Sequence, residues 1–83
     1  MSGKEELENV IQFLGELKDD SSVPKNVKES IVNIINILNE KVDLSIRVNK
    51  ALHELDDISN DPNLQPYTRM QIWNLVSMLE KIK

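Results

Sequence analysis

Apolar residues recur at three- and four-residue steps along four stretches of this chain, the spacing that lines one face of an α-helix. Leu7, Val10, Leu14 and Leu17, flanked by Ile11 and Phe13, predict a first helix, α1, from about Lys4 to Lys18. Val27, Ile31, Ile34, Ile35 and Leu38 predict α2 from about Pro24 to Glu40, with Val32 and Ile37 on either side of that stripe. Leu44, Val48, Ala51, Leu52, Leu55 and Ile58 give α3 one clean apolar face, which Asp43 can cap at its start and which ends near Ser59. Ile72, Leu75, Val76, Leu79 and Ile82 form the inward stripe of α4, opened by Pro66 and flanked by Trp73 and Met78.

The polar intervals explain the breaks. Asp19-Asp20-Ser21-Ser22-Val23-Pro24 and Asn60-Asp61-Pro62-Asn63-Leu64-Gln65-Pro66 are rich in turn formers and lead into a proline, which fits a helix's first turn because no backbone N–H is needed there. The pattern is also written twice. Ile31–Leu38 returns forty-one positions later as Ile72–Leu79, and Val10, Leu14 and Leu17 fall on Val48, Leu52 and Leu55 at an offset of thirty-eight. Asp19-Asp20-Ser21 then falls on Asp57-Ile58-Ser59, so a few extra residues are expected at the second turn. These matches predict two similar helical hairpins, residues 4–42 and 43–83, in a single domain. Short links between helices of about 15 residues favour antiparallel neighbours, and two hairpins fall short of the three or more repeats a solenoid needs. The expected fold is all-α, an antiparallel four-helix bundle.

Composition limits what such a bundle can rest on. A chain of 83 residues buries only about 60% of the surface its unfolded form exposes, and its stability is expected at roughly 4–12 kcal/mol. With no cysteine, neither disulfides nor thiolate metal sites can hold it together. No apolar run reaches membrane-spanning length, and Met1-Ser2-Gly3-Lys4-Glu5-Glu6 carries charge where a signal peptide needs an apolar stretch, so an intracellular, membrane-free protein is expected. The net charge of −4 disfavours general attraction to phosphate backbones or anionic membranes. It is unevenly spread: residues 1–23 carry −4 and 43–61 carry −3, whereas 24–42 carry +1 and 62–83 carry +2. Acidic odd-numbered helices thus alternate with mildly basic even-numbered ones.

Leu14-Gly15-Glu16-Leu17, the Asp19-to-Pro24 turn, Asp43-Leu44-Ser45-Ile46-Arg47-Val48 and the Asp56-to-Asn63 loop resemble a family of small archaeal proteins known only as uncharacterised, over nearly the whole chain. The resemblance implies an all-α four-helix fold and a cytoplasmic archaeal protein. It brings no activity and no site residues.

Candidate chemistry is sparse. His53 is the lone histidine and should face solvent, opposite the Val48–Leu52–Leu55 stripe; without cysteine or a second histidine it builds no ordinary zinc site. No Ser–His–Asp arrangement is evident, and neither Gly3 nor Gly15 belongs to a phosphate-binding loop. Asp57, Ser59, Asp61 and Asn63 alternate like the first ligands of a calcium loop, but Pro62 stands where that loop needs glycine and Thr68 where it needs glutamate. The pairs Asp19-Asp20 and Asp56-Asp57 have side chains about 100° apart on a helix and do not converge. No catalytic residue, metal, cofactor or small-molecule substrate is therefore expected.

Val32, Ile37, Trp73 and Met78 are the most informative residues, each about 100° off the centre of its helix's inward stripe. Covering both flanks takes either two neighbouring helices or a partner molecule. Between the flanks, Asn33, Asn36, Asn74 and Ser77 form an uncharged strip where Lys and Glu are usual. Together these predict a noncatalytic interaction module, self-associating or binding a protein partner through α2 and α4. The alternative is an RNA- or ribonucleoprotein-associated accessory protein using the basic residues Lys25, Lys28, Arg69, Lys81 and Lys83, which lack interleaved aromatics.

Overall fold

Each predicted stripe forms a helix. The computed structural model describes residues 3–82, with α1 at Gly3–Lys18, α2 at Lys25–Leu38, α3 at Leu44–Ser59 and α4 at Pro66–Ile82. Met1 and Ser2, on which the reading of the N-terminus partly rests, and Lys83 lie outside the described residues. Among the described residues there is no strand.

The helices close into a square. α1 packs against α2 and α4, and α3 packs against the same two, so α1 faces α3 and α2 faces α4 only across the diagonals. Neighbours run antiparallel, because the start of one helix lies beside the end of the next. Arg47 near the start of α3 donates from Nη1 to the Leu38 carbonyl at the end of α2, 3.0 Å away. Arg69 in the first turn of α4 donates from Nε to the Ser59 carbonyl at the end of α3, also at 3.0 Å. Glu6 and Asn9 of α1 line one cleft with Met78 and Lys81 of α4. Both arginines thereby satisfy helix-terminal carbonyls that have no intrahelical partner.

The inward stripes meet in one core. Val10, Leu14, Ile31, Ile34, Leu38, Val48, Leu55, Ile72, Leu75 and Leu79 are fully buried, and Val23 and Leu64 cover one end of the core from the turns. Ile11, Phe13, Ile35, Leu44, Leu52, Val76, Met78 and Ile82 pack around it, partly buried. Residue by residue the second hairpin repeats the first: Ile31, Ile34 and Leu38 match Ile72, Leu75 and Leu79, and Thr68, itself buried, takes the place of Val27.

Two boundaries and the chemistry of one cap differ from the sequence expectation. Pro24 is the residue before α2 (φ −57°, ψ 147°) and its carbonyl accepts from the Lys28 N–H at 3.0 Å; the matching acceptor in the second hairpin is Gln65, bonded to the Arg69 N–H at 3.0 Å. Pro66 therefore occupies the first helical position and Pro24 the cap, one register apart, since a proline φ suits both. α2 ends at Leu38 rather than Glu40, its carbonyls closed by the Asn39 N–H on Ile35 and Asn36 at 3.2 Å. Asp43 holds the cap position of α3, but its side chain makes no capping bond; its carbonyl takes the Ile46 and Arg47 N–H groups instead.

The inserted residues also lie elsewhere than expected. Asp20 and Asp61 each accept the backbone N–H two residues on, from Ser22 at 2.9 Å and Asn63 at 2.8 Å, and the following Val23 and Leu64 are both buried. These turns match at the same offset of forty-one as α2 and α4, so Asp20 corresponds to Asp61 and not to Ile58. The three additional residues extend α3 as nearly one more helical turn, because Ile58 and Ser59 find burial there.

Two outcomes follow from this packing. Ile31→Ala and Ile72→Ala should each destabilise the fold by about 2–5 kcal/mol, and by similar amounts, in urea denaturation. Gly15→Ala should stabilise it by about 0.5–1 kcal/mol, since a Cβ there would meet nothing within 4 Å and helical glycine is entropically costly.

Candidate interaction surface

The outer side of α4 is built by the same periodicity that builds its inner side. With Thr68, Ile72, Leu75 and Leu79 turned to the core, the residues roughly half a turn away face outward. Tyr67, Met70 and Trp73 occupy that outer side as an i, i+3 ridge and are 67%, 60% and 56% exposed. Asn74 and Ser77 continue it, also exposed. From Pro66 to Ser77 every exposed residue of α4 is uncharged. Each of the other helices exposes charge on its outer face: Glu5 and Glu8 on α1, Lys25 and Glu29 on α2, Lys50, Asp56 and Asp57 on α3.

The sequence-predicted residues separate under this geometry. Val32 is 42% exposed beside exposed Asn33 and Asn36 on α2, and Trp73 lies beside Asn74 and Ser77 on α4. Ile37 and Met78 are half-buried: Ile37 lines a groove with Asn49 and His53 of α3, and Met78 lines the cleft against α1 and packs on the core. Because α2 and α4 sit on a diagonal, their outer faces look in opposite directions and do not make one surface. Tyr67 and Met70 were missed by reading only the flanks of the stripe. The signal was available, since both lie opposite Ile72 on a helical projection. Val42 and Ile46, 45% and 47% exposed near the α2–α3 turn, were missed as well, one in a turn and one on the polar side of α3.

The other candidates resolve into local structure. The imidazole of His53 is exposed, and its Nε2 lies 4.0 Å from the Asp57 carboxylate one turn along α3. The alternating oxygens of 57–63 do not converge: Ser59 is buried and donates its hydroxyl to the Asp56 carbonyl at 2.7 Å, Asp61 accepts from Asn26 Nδ2 at 2.6 Å and from the Asn63 N–H, and Thr68 is buried in α4. The described residues hold no group of three or more His, Cys, Asp or Glu side chains placed to share a metal ion. Lys25, Lys28 and Arg69 are at the end of the bundle that also holds Asp19, Asp20 and Asp61, while Lys81 is at the other end. Arg69 is committed to the Ser59 and Asp61 carbonyls. At that other end Lys4, Leu7, Ile11, Leu38, Leu44 and Arg47 border a cleft of about 450 Å³, where the buried Arg47 Nε has no hydrogen-bond partner.

Residues 1–82 match the Uncharacterised protein family (UPF0147). The chain belongs to that family. It is 46% identical over 79 residues to a UPF0147 protein of Methanosarcina acetivorans, covering 94% of this chain and 81% of that protein. A UPF0147 protein of Methanocaldococcus jannaschii is 40% identical over 81 residues, covering 96% of this chain and 87% of that protein. Among solved structures, the protein of unknown function MMP1188 superposes with a TM-score of 0.94 at 43% identity, covering 100% of this chain and 96% of the other. A UPF0147 protein from Thermoplasma acidophilum superposes at 0.92 with 30% identity, over 96% and 95%. The four-helix, all-α fold is therefore that of the UPF0147 family, and the family's archaeal relatives match what the turn and α3 residues implied. No described helix is long and apolar enough to cross a membrane.

The two turn aspartates carry the resolved electrostatics of this UPF0147 chain. The Asn26 amide, then the Asn63 N–H, hold the Asp61 carboxyl below its ordinary 3.8, and the Ser22 N–H and hydroxyl do the same for Asp20. A carboxyl with a lowered folded-state pKa stabilises the fold above its unfolded value, and that contribution fades as pH falls through the lowered value. Asn26→Ala should accordingly raise the Asp61 pKa toward 3.8 in a carboxyl NMR titration. The acid limb of the stability curve should become shallower, because less of the stability at neutral pH then depends on an ionised Asp61, with Asp20 unaffected.

Proposed function

We propose that this chain is a noncatalytic helical module that docks a protein through the outer face of α4, with Tyr67, Met70 and Trp73 as its apolar centre and Asn74 and Ser77 as its uncharged border. The observation that carries this reading is the combination of large exposed apolar side chains with only uncharged residues at the exposed positions between Pro66 and Ser77, where Arg69 is half-buried, on a chain of net charge −4. Aromatic residues and methionine are enriched at interface centres, and charged residues are depleted there. At about 150–250 Å² per aromatic side chain, the three residues leave roughly 400 Å² exposed, within the usual size of a functional patch. The corresponding strip on α2 carries only Val32 as an exposed large apolar residue and is secondary.

A noncatalytic reading is supported by His53, whose exposed imidazole lies 4.0 Å from the Asp57 carboxylate, a pair that does not by itself supply nucleophile, base and oxyanion donor. Binding to RNA finds less support. The basic side chains of α2 and α4 are divided between the two ends of the bundle, one group of them is interspersed with aspartates, and Arg69 is engaged with backbone carbonyls.

A photo-cross-linking amino acid placed at Met70 tests the proposal in cells, against the same group at Glu29 on the outer face of α2. A discrete protein adduct from position 70 and none from position 29 is expected. Adducts absent from position 70, or equal at both, contradict it. In parallel, Trp73→Ala should cost less than about 1 kcal/mol of folding stability, as surface changes do, whereas a core role would cost about 3–5 kcal/mol.

A further inference from the structure

We propose that the occupant of the α4 face is a second copy of this chain, packed antiparallel about a two-fold axis at the level of Ile72. This rests on the docking reading of α4 and names its partner. Side-chain size is what points to self-pairing. The N-terminal half of the exposed ridge carries the large Tyr67 and Met70, and the C-terminal half carries the small Asn74 and Ser77. An antiparallel pairing about Ile72 sets Tyr67 opposite Ser77 of the second copy and Met70 opposite Asn74, so each bulky residue meets a small one. Trp73, next to the axis, meets its own counterpart, an arrangement suited to offset aromatic packing.

Charge agrees with this geometry. Two molecules of net charge −4 repel, and the exposed acids of α1 and α3 would face each other or be desolvated in contacts made there. Between Pro66 and Ser77 the one charged side chain is the half-buried Arg69, already bonded to the Ser59 and Asp61 carbonyls, so two copies meeting there bury no exposed acid. Beyond Ser77, the exposed Lys81 in the last turn of α4 falls level with the 61–63 turn of the second copy, where Asp61 holds a carboxylate kept ionised by Asn26 and Asn63. Pairing α4 instead with an acidic helix of another molecule would be head-to-tail and would give a ring or an open chain, whereas the two-fold contact closes with two copies.

Extent agrees as well. α4 has 17 residues and is about 25 Å long, and a stable interface takes about 800 Å² from each partner. The ridge supplies roughly half of that as apolar surface, and Pro66, Asn74, Ser77 and the Lys81 end supply the remainder, which places the dimer at the weak end of stable associations.

Sedimentation equilibrium on the full chain between about 1 μM and 1 mM should show a monomer–dimer equilibrium with a Kd on the order of 10 μM. Met70→Glu should raise the Kd by about 100-fold or more, with an unchanged Tm when both proteins are melted well below the parent's Kd. Ser77→Tyr separates size matching from simple stickiness: it adds apolar surface, yet it should weaken the dimer because Tyr67 of the second copy then has no room. A strict monomer throughout, a dimer retained in Met70→Glu, or a tighter dimer in Ser77→Tyr each overturns the proposal. A strict monomer that still gives an adduct from the cross-linker at position 70 removes the second copy as occupant while leaving the docking face in place; a strict monomer giving none removes both.

Discussion

Burial of two matching aliphatic stripes in one shared core is the interaction on which this molecule depends. Ile31, Ile34 and Leu38 on α2 and Ile72, Leu75 and Leu79 on α4 come from opposite corners of the square and are fully enclosed, with α1 and α3 closing the sides. No disulfide assists them in a chain without cysteine. In a domain this small each enclosed side chain is a sizeable share of the net stability. That constraint fixes which side of each even helix must face inward, and so it also fixes which residues are left outside.

The polar elements serve the same end. Arg47 and Arg69 close the carbonyl ends of α2 and α3, and Asp20 and Asp61 shape the two turns that return the chain into the even helices. Asn26 joins the start of α2 to the second turn through the Asp61 carboxylate, linking the two hairpins at one end. These contacts commit Arg47, Arg69, Asp20, Asp61 and Asn26 to architecture. What the bundle does not use is the ridge of Tyr67, Met70 and Trp73, and the proposed role follows from that remainder.

Much of the fold was legible because a helical period of 3.6 residues is a strong signal over stretches of this length. The inward stripes and their near-duplication gave helix number and core residues directly. The errors arose where one sequence pattern permits two backbone solutions. Pro24 and Pro66 look alike in sequence, yet one caps its helix and the other begins it. Asp19 and Ser21 align by identity with Asp57 and Ser59 at the offset of α1 and α3, but hydrogen bonding aligns Asp20 with Asp61, because the extra residues extend α3 rather than the turn. For the candidate surface, Trp73, Asn74 and Ser77 were legible as an odd uncharged strip, while Ile37 and Met78 turned out to lie in grooves between helices. Whether a flank residue is enclosed depends on which neighbour is beside it. Only the square arrangement, with α2 and α4 on a diagonal, decides that, and it also divides the single surface expected from the sequence into two.

What most needs direct measurement is the proposed meeting of two copies of this molecule through the uncharged outer side of α4. A dilution series of ¹⁵N-correlation NMR spectra tests it most directly, because each backbone amide reports its own surroundings. Concentration-dependent shifts concentrated on residues 66–77, with the amides of 32–36 and of α1 unmoved, are the predicted result. Shifts centred on α2 or spread over the acidic helices, with 66–77 constant, would contradict it.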